Sequence, residues 1–360
     1  MANLDKATES SFLGTMRKVY HPIGFKKGYN FVLWFIFAGA LMGFTLARLQ
    51  YLDFYGIFCS IGDSGGNHAA PGECMYYLRG HEKVGIILHL ATILPASFLV
   101  VFQFIPAIRY KAMLFHRLNG YLVIILSFIG IAGVFMITRH AFGGTLATQY
   151  ATGFLSIAFI GALMMAYINI KKLQIEQHRA WMLRAWFYAG CIITIRIVQI
   201  IAAQIVSQIG GYYDARPCDQ VENILGSQED SIAAFPDCAP YFNGSDFSKQ
   251  VAVEADFNGN PVQVAVALGS NFGPAMWLAF AIHAIGVEIY LKLTPAESER
   301  LRNVSYQRQL EAGMKNPGRA GLTVDRFGDS EKWVPKGYRS ESDANVQATA
   351  QKLSDPNVDA

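Results

Sequence analysis

The chain has 360 residues, 52% of them hydrophobic and only 16% charged, with a mean hydropathy of +0.25 and a net charge of +3. Soluble globular domains carry about 25% charged residues, so an ordinary soluble domain is excluded. The basic residues are dispersed along the borders of apolar runs rather than gathered on one patch, which excludes nucleic acid as a partner and leaves the lipid bilayer.

In chain order, residues 1–30 form a basic segment with Arg17, Lys18, Lys26 and Lys27. The first apolar run, Phe31–Ala47, is long enough to be a span, so no cleavable signal peptide is expected. It carries Gly39-x-x-x-Gly43, a small-residue face of the kind that lets helices approach closely. The connection Gln50–Lys83 holds Cys59 and Cys74, and its Gly62-Asp63-Ser64-Gly65-Gly66 reads as a flexible turn rather than a nucleophile elbow. A second span covers Val84–Phe104, with His89 near one end and Pro95 and Pro106 marking a kink and a stop.

Arg109, Lys111 and Arg117 then precede the third span, Asn119–Ile137, which His116-Arg117-x-x-Gly120 opens and Gly130 and Gly133 interrupt. The fourth span, Ala151–Ile170, has no histidine. Lys171, Lys172 and His178-Arg179-x-Trp181-Met182-Leu183-Arg184 lead into the fifth, Ala185–Ile205, whose middle holds Arg196. An acidic segment, residues 207–271, contains Cys218, Cys238 and the sequon Asn243-Gly244-Ser245. The sixth span, Phe272–Leu293, carries His283 and Glu288. The tail, residues 294–360, is polar and is expected to be mostly disordered beyond a helix near Ala296–Gln309; it holds a second sequon, Asn303-Val304-Ser305.

Each run approaches the ~20 residues that cross a bilayer core, and backbone hydrogen bonding makes them helices. The expected fold is an all-α integral membrane protein of six transmembrane helices (residues 31–293), with an antiparallel four-helix core from spans two to five. Basic connections stay cytosolic, which puts both termini in the cytosol and the loops after spans one, three and five outside. The cysteines agree with that topology: disulfides Cys59–Cys74 and Cys218–Cys238 would lie in an oxidising space, with glycosylation at Asn243. A multi-pass protein of the endomembrane system or plasma membrane follows.

Arg196 is the costliest residue in the spans, at least about 2.5 kcal/mol for a midplane guanidinium. It should face the bundle interior, and with His89 it forms a candidate pocket for an anionic group; Glu288 lies about 10 Å deeper at ~1.5 Å per residue. His116 and His178 head two core helices at one depth, a geometry that could ligate the iron of haem b, with Arg117 and Arg184 on its propionates. The bland reading of the same His-Arg pairs is contact with lipid phosphate at helix ends.

The segments FHRLNGYL, GGTLATQYATGF, EQHRAWMLRAWFYAG and ITIRIV resemble a family of predicted multi-pass membrane proteins of unknown function from bacteria and fungi. The resemblance covers roughly residues 84–206 and singles out His89, His116, Arg117, Gly153, His178, Trp181, Arg184 and Arg196. It implies a four-helix core and no particular reaction. A more distant likeness is to b-type transmembrane cytochromes, although span four lacks the histidine a second haem would need. Three functional readings are therefore open. The first is a haem-b electron-transfer protein working with a redox partner. The second is a transporter or binding protein for a small anionic molecule, and the third is an accessory membrane protein of a metabolic pathway.

Overall fold

The computed structural model describes residues 11–60 and 68–335. The Gly62–Gly66 turn and the last part of the tail lie outside the described residues. Six helices are long and apolar enough to cross a membrane: α2 (Gly28–Arg48), α4 (Gly80–Gln103), α6 (Met113–Ile137), α7 (Leu146–Lys171), α8 (Ile175–Ile209) and α12 (Pro261–Leu293). Large apolar side chains such as Phe35, Ile157, Ile197 and Ile285 are exposed on their flanks, the pattern of helices solvated by lipid rather than water. The protein is thus a multi-pass membrane protein. Two helices run longer than hydropathy suggests. Helix α8 begins at Ile175, so His178 and Arg184 are helical, and α12 begins at Pro261, eleven residues before the apolar run, because residues 261–271 continue its periodicity.

The described chain divides into two compact units. The first comprises residues up to Ile160 together with Phe187–Ala284. Within it, α1 (Ser11–Tyr20) folds back on α2, with the Tyr20 ring stacked on Phe31. Spans two and three pack closely, and glycine makes this possible. A Cβ at Gly133 would stand 2.5 Å from Gly85 O and 2.8 Å from His89 N. Gly39 and Gly43 differ: nothing lies within 4 Å of either Cβ position, so this small-residue face has no helix against it among the described residues. Ala151 of span four, Cys191 and Ile195 of span five, and Phe272, Ala275, Met276 and Ala279 of span six share one core. The contacts therefore do not set spans two to five apart; span six is part of the same packing.

Between α8 and α12 the acidic segment folds rather than loops. Strands β1 (Tyr213–Pro217) and β2 (Gln250–Glu254) pair antiparallel, with Ala215 opposite Ala252. Helices α9 (Cys218–Leu225), α10 (Gln228–Ala234) and α11 (Ala239–Phe242) lie between them, and the Cys218–Cys238 disulfide sits in their core. A second disulfide, Cys59–Cys74, ties Phe58 to the short α3 (Cys74–Tyr77). Both cysteine pairs expected from the sequence are formed, and Cys191 is buried and free.

The second unit comprises Gly161–Trp186 and the chain from Ile285 onward. The expectation of a mostly disordered tail covers residues 294–360, of which those after 335 lie outside the described residues. Beyond α13 (Pro295–Glu311) the chain to residue 335 is folded and includes α14 (Val324–Phe327). Side-chain amides do what apolar residues usually do. Fully buried Gln174 accepts from Gly321 N at 2.9 Å and donates to Gly318 O at 3.0 Å. Gln309 Nε2 donates to Lys172 O at 2.8 Å, and Asn169 Oδ1 accepts from Leu322 N at 2.8 Å. Buried Asp325 then takes Arg302 at 2.6 Å and Arg319 at 2.8 Å. Low apolar content is offset by backbone hydrogen bonds that the buried amides complete.

Candidate functional site

Arg196, the residue on which the sequence turns, has partners that were not foreseen. Its Nη1 donates to Gln199 Oε1 at 3.2 Å, one helical turn along α8. Gln199 is itself buried and donates to Leu268 O at 2.9 Å. The guanidinium lies over two aromatic rings, Phe142 at 4.4 Å and Phe272 at 5.2 Å, and these rings stack on each other at 4.1 Å. Desolvated cation–π contacts are worth about 2 kcal/mol, which offsets much of the cost of placing the charge there. The carboxylate of Glu73, just before α3, supplies the opposing charge.

Backbone strain builds this arrangement. Phe142 adopts φ 48° and ψ 47°, left-handed and disfavoured for a bulky side chain, and Gly143 and Gly144 follow with φ 79° and 60°. Such a residue costs about 1–2 kcal/mol and persists only where its surroundings over-determine it. Here they do, because Phe142 N donates to Glu73 Oε1 at 2.8 Å while its ring is held by Phe272 and Arg196. Glu73 also accepts from Ala70 N at 2.9 Å and from the Tyr77 hydroxyl at 3.2 Å. Burial nevertheless pushes the Glu73 carboxyl above its ordinary value, against the opposing effect of these hydrogen bonds and of Arg196.

The other side of the Phe142–Gly143 turn carries a second buried guanidinium. Arg216 of β1 is 4% exposed. Its Nη1 reaches Gly143 O at 3.4 Å and its Nη2 lies 3.0 Å from Asp214 Oδ2, while Nε has no hydrogen-bond partner among the described residues. Burial lowers the Arg216 pKa, and Asp214 and Tyr76 oppose that shift. Ala70, Pro71, Glu73, Phe142, Gly143 and Arg216 line a small cleft, closed on the remaining side by Gln220 and Ala265. Its volume is about 10 Å³, room for about one water. One face of the cleft is acidic and the other cationic, and the cation is the less completely satisfied.

The residues singled out from the sequence fall elsewhere. Nδ1 of His89 donates to Gly130 O at 3.1 Å, which ties span two to span three, and no hydrogen bond joins it to Arg196 among the described residues. His178 Nδ1 donates to Ala166 O at 3.0 Å. His283 is similarly committed, with Nδ1 donating to Phe187 O at 2.8 Å and Nε2 2.8 Å from the Thr194 hydroxyl. Arg184, expected on a haem propionate, forms a two-pronged ion pair with Glu288 at 2.5 and 3.0 Å and stacks over Trp181 at 4.5 Å. His116 and Arg117 lie in the first unit and His178 and Arg184 in the second. Among the described residues no three histidine, cysteine or carboxylate side chains gather as metal ligands. These contacts lend no support to a haem site.

Comparison with known proteins adds a boundary. Residues 86–215 match a family described as "Predicted membrane protein (DUF2306)". The chain is similar to that family over about a third of its length, from span two through span five. It is also 25% identical over 336 residues to "Ava biosynthesis cluster protein G" of Aspergillus versicolor, across 82% of this chain and 97% of that protein. No solved structure matches the chain. The family match includes Phe142 and Arg196 but stops just short of Arg216 and leaves out Glu73. Sequence reasoning missed Glu73, Phe142 and Arg216 because their relation is made by tertiary contact across three connections. The one local signal was an aromatic residue followed by two glycines at the end of a span.

Proposed function

We propose that the protein binds a small anionic molecule in the cleft between Glu73 and Arg216, as a transporter, binding protein or accessory membrane component of a metabolic pathway. The observation that carries this reading is Arg216, a nearly buried cation with an unpartnered Nε at the cleft wall. A buried, incompletely paired guanidinium is a recognition element for carboxylate or phosphate, and Arg196 behind Phe142 adds positive potential. The cleft has room for about one water as it stands, so a larger ligand requires the Phe142–Gly144 turn to move. The relative from a biosynthesis cluster fits a metabolite as the ligand. Native mass spectrometry after incubation with acetate, pyruvate, succinate and benzoate tests the reading. A one-to-one adduct in the parent that is missing in folded Arg216→Gln is expected; no adduct, or equal adducts in both proteins, would contradict it.

The same reading places the cleft on the outer face of an endomembrane or plasma membrane, with both termini cytosolic. Support comes from the basic connections before spans one, three and five and from the two disulfides in the connections after spans one and five. Asn243 is exposed, whereas Ser305 of the second sequon is fully buried. A glycosidase-sensitive mobility shift that vanishes in Asn243→Gln is expected, and a shift that persists would reverse the orientation. The haem reading has its own readout: a Soret band in the purified protein, lost in both His116→Ala and His178→Ala, would support it, and a colourless folded protein would sink it.

A further inference from the structure

The turn that supplies Phe142 to the cleft also carries a histidine that the function above does not use. His140 lies in the turn after α6, two residues before Phe142. Its Nδ1 is 2.5 Å from Glu82 Oε1 in the first turn of α4. The Glu82 side chain is 6% exposed, and its other oxygen, Oε2, has no hydrogen-bond partner among the described residues. The Tyr76 ring lies flat on the imidazole, with centroids 3.8 Å apart and planes 1° from parallel. The His140 side chain is 29% exposed, and Nε2 has no hydrogen bond among the described residues.

This is the construction of a positioned base. A buried carboxylate fixes the tautomer by accepting from Nδ1–H and leaves the Nε2 lone pair outward. The stacked tyrosine prevents the ring from turning. Both segments that carry the group also line the cleft: the 140–144 turn supplies Phe142 and Gly143, and the segment leading into α3 supplies Glu73, one helical turn before Tyr76. A packing histidine would show both nitrogens used inside the fold, as His283 does.

We propose that His140, backed by Glu82, is a general base for the molecule held at Arg216, which makes the cleft a proton-transfer site. The inference rests on the binding reading above. The matching substrate is a small molecule with an anionic or carbonyl oxygen and an acidic hydrogen beside it. His140 Nε2 takes that hydrogen as a proton, the electron pair of the broken bond stays on the substrate, and the charge gathered on its oxygen faces Arg216. Return of the proton to another atom of the same molecule completes an isomerisation and requires no co-reactant.

Diethyl pyrocarbonate, which acylates neutral imidazole, reads the base without a known substrate. Labelling is followed by peptide mass spectrometry at pH 8 on the full chain in detergent, with exposed His81 as the internal reference. His140 is expected to react about tenfold faster than His81, and Glu82→Gln to bring it down to the His81 rate with the melting curve retained. Equal rates for His140 and His81 in the parent, a comparison that needs no variant, would overturn the proposal, as would a Glu82→Gln protein whose His140 still reacts fast. Succinate should slow labelling of His140 in the parent and not in Arg216→Gln. Fast labelling that succinate never slows would remove the link to the cleft, and with it this proposal, whether or not anions bind elsewhere.

Discussion

Asp325→Asn tests whether the folded tail is held as described. The side chain is 1% exposed and receives Arg302 at 2.6 Å, Arg319 at 2.8 Å and Trp333 N at 3.1 Å. Burial alone would raise its pKa, but the bonds from Trp333 N and Arg302 outweigh burial and hold it at about 2, against an ordinary 3.8. A depressed carboxyl contributes stability above its unfolded value and loses it as pH falls toward its folded one. Nearly two pH units at about 1.4 kcal/mol each give about 2.5 kcal/mol at neutral pH, which solvent screening of the two partly exposed arginines reduces to roughly 2 kcal/mol. Arg302 and Arg319 are 15% and 22% exposed, so in the variant they can turn toward water and the cost stays near that figure rather than the ~3–5 kcal/mol of a fully buried broken pair. Two kcal/mol is about a 30-fold change in local opening. Hydrogen exchange on peptides covering residues 312–335 at pH 7 should therefore accelerate about 30-fold in Asp325→Asn, with spans two and three unchanged. Acceleration below about threefold, or an equal effect in the spans, would refute the clamp.

Three further outcomes follow from the packing and the charges. Gly133→Val would drive a side chain into Gly85 O and His89 N, and overpacking of this kind costs about 1–3 kcal/mol, so its melting temperature in detergent should fall while Gly39→Val, with open space around it, stays at the parent value. Cys59→Ser opens a loop of 15 residues, a loss of about 3 kcal/mol on the chain-entropy scale, to be read as a lower melting temperature than the parent's. Because burial raises the Glu73 pKa, its contribution is fully present below about 4.5 and lost as pH rises through the raised value. The melting temperature of the parent relative to Glu73→Gln should therefore drop as pH rises above 4.5, and a flat difference would contradict the buried placement of Glu73.

The spans were legible because each is set by a local property, hydropathy over about 20 residues, and the disulfides because four of five cysteines fall in two connections. The folded tail was hidden for the opposite reason. Gln174, Gln309 and Asn169 read as polar surface until the backbone that they satisfy is brought to them. Arg196 illustrates both sides. Its cost and inward direction were visible, and so was the need for a compensating partner. The sequence points to an anionic ligand as that partner, in a pocket shared with His89, because a phenylalanine face and a glutamate in a distant connection leave no periodic signal. Glu288 was likewise considered for Arg196, but helix geometry sets it against Arg184.

The claim that the cleft recognises negative charge through Arg216 is tested most directly by paired thermal shifts with succinate and its uncharged diamide. A ligand at 100 times its Kd stabilises the folded state by about 2.7 kcal/mol. Succinate, or a larger carboxylate of the same series, should therefore raise the melting temperature of the parent in a dose-dependent way, while the diamide has no effect and folded Arg216→Gln shows no shift with either. A shift of the same size in Arg216→Gln, or one that the diamide matches, would show that the cleft does not read charge through this residue.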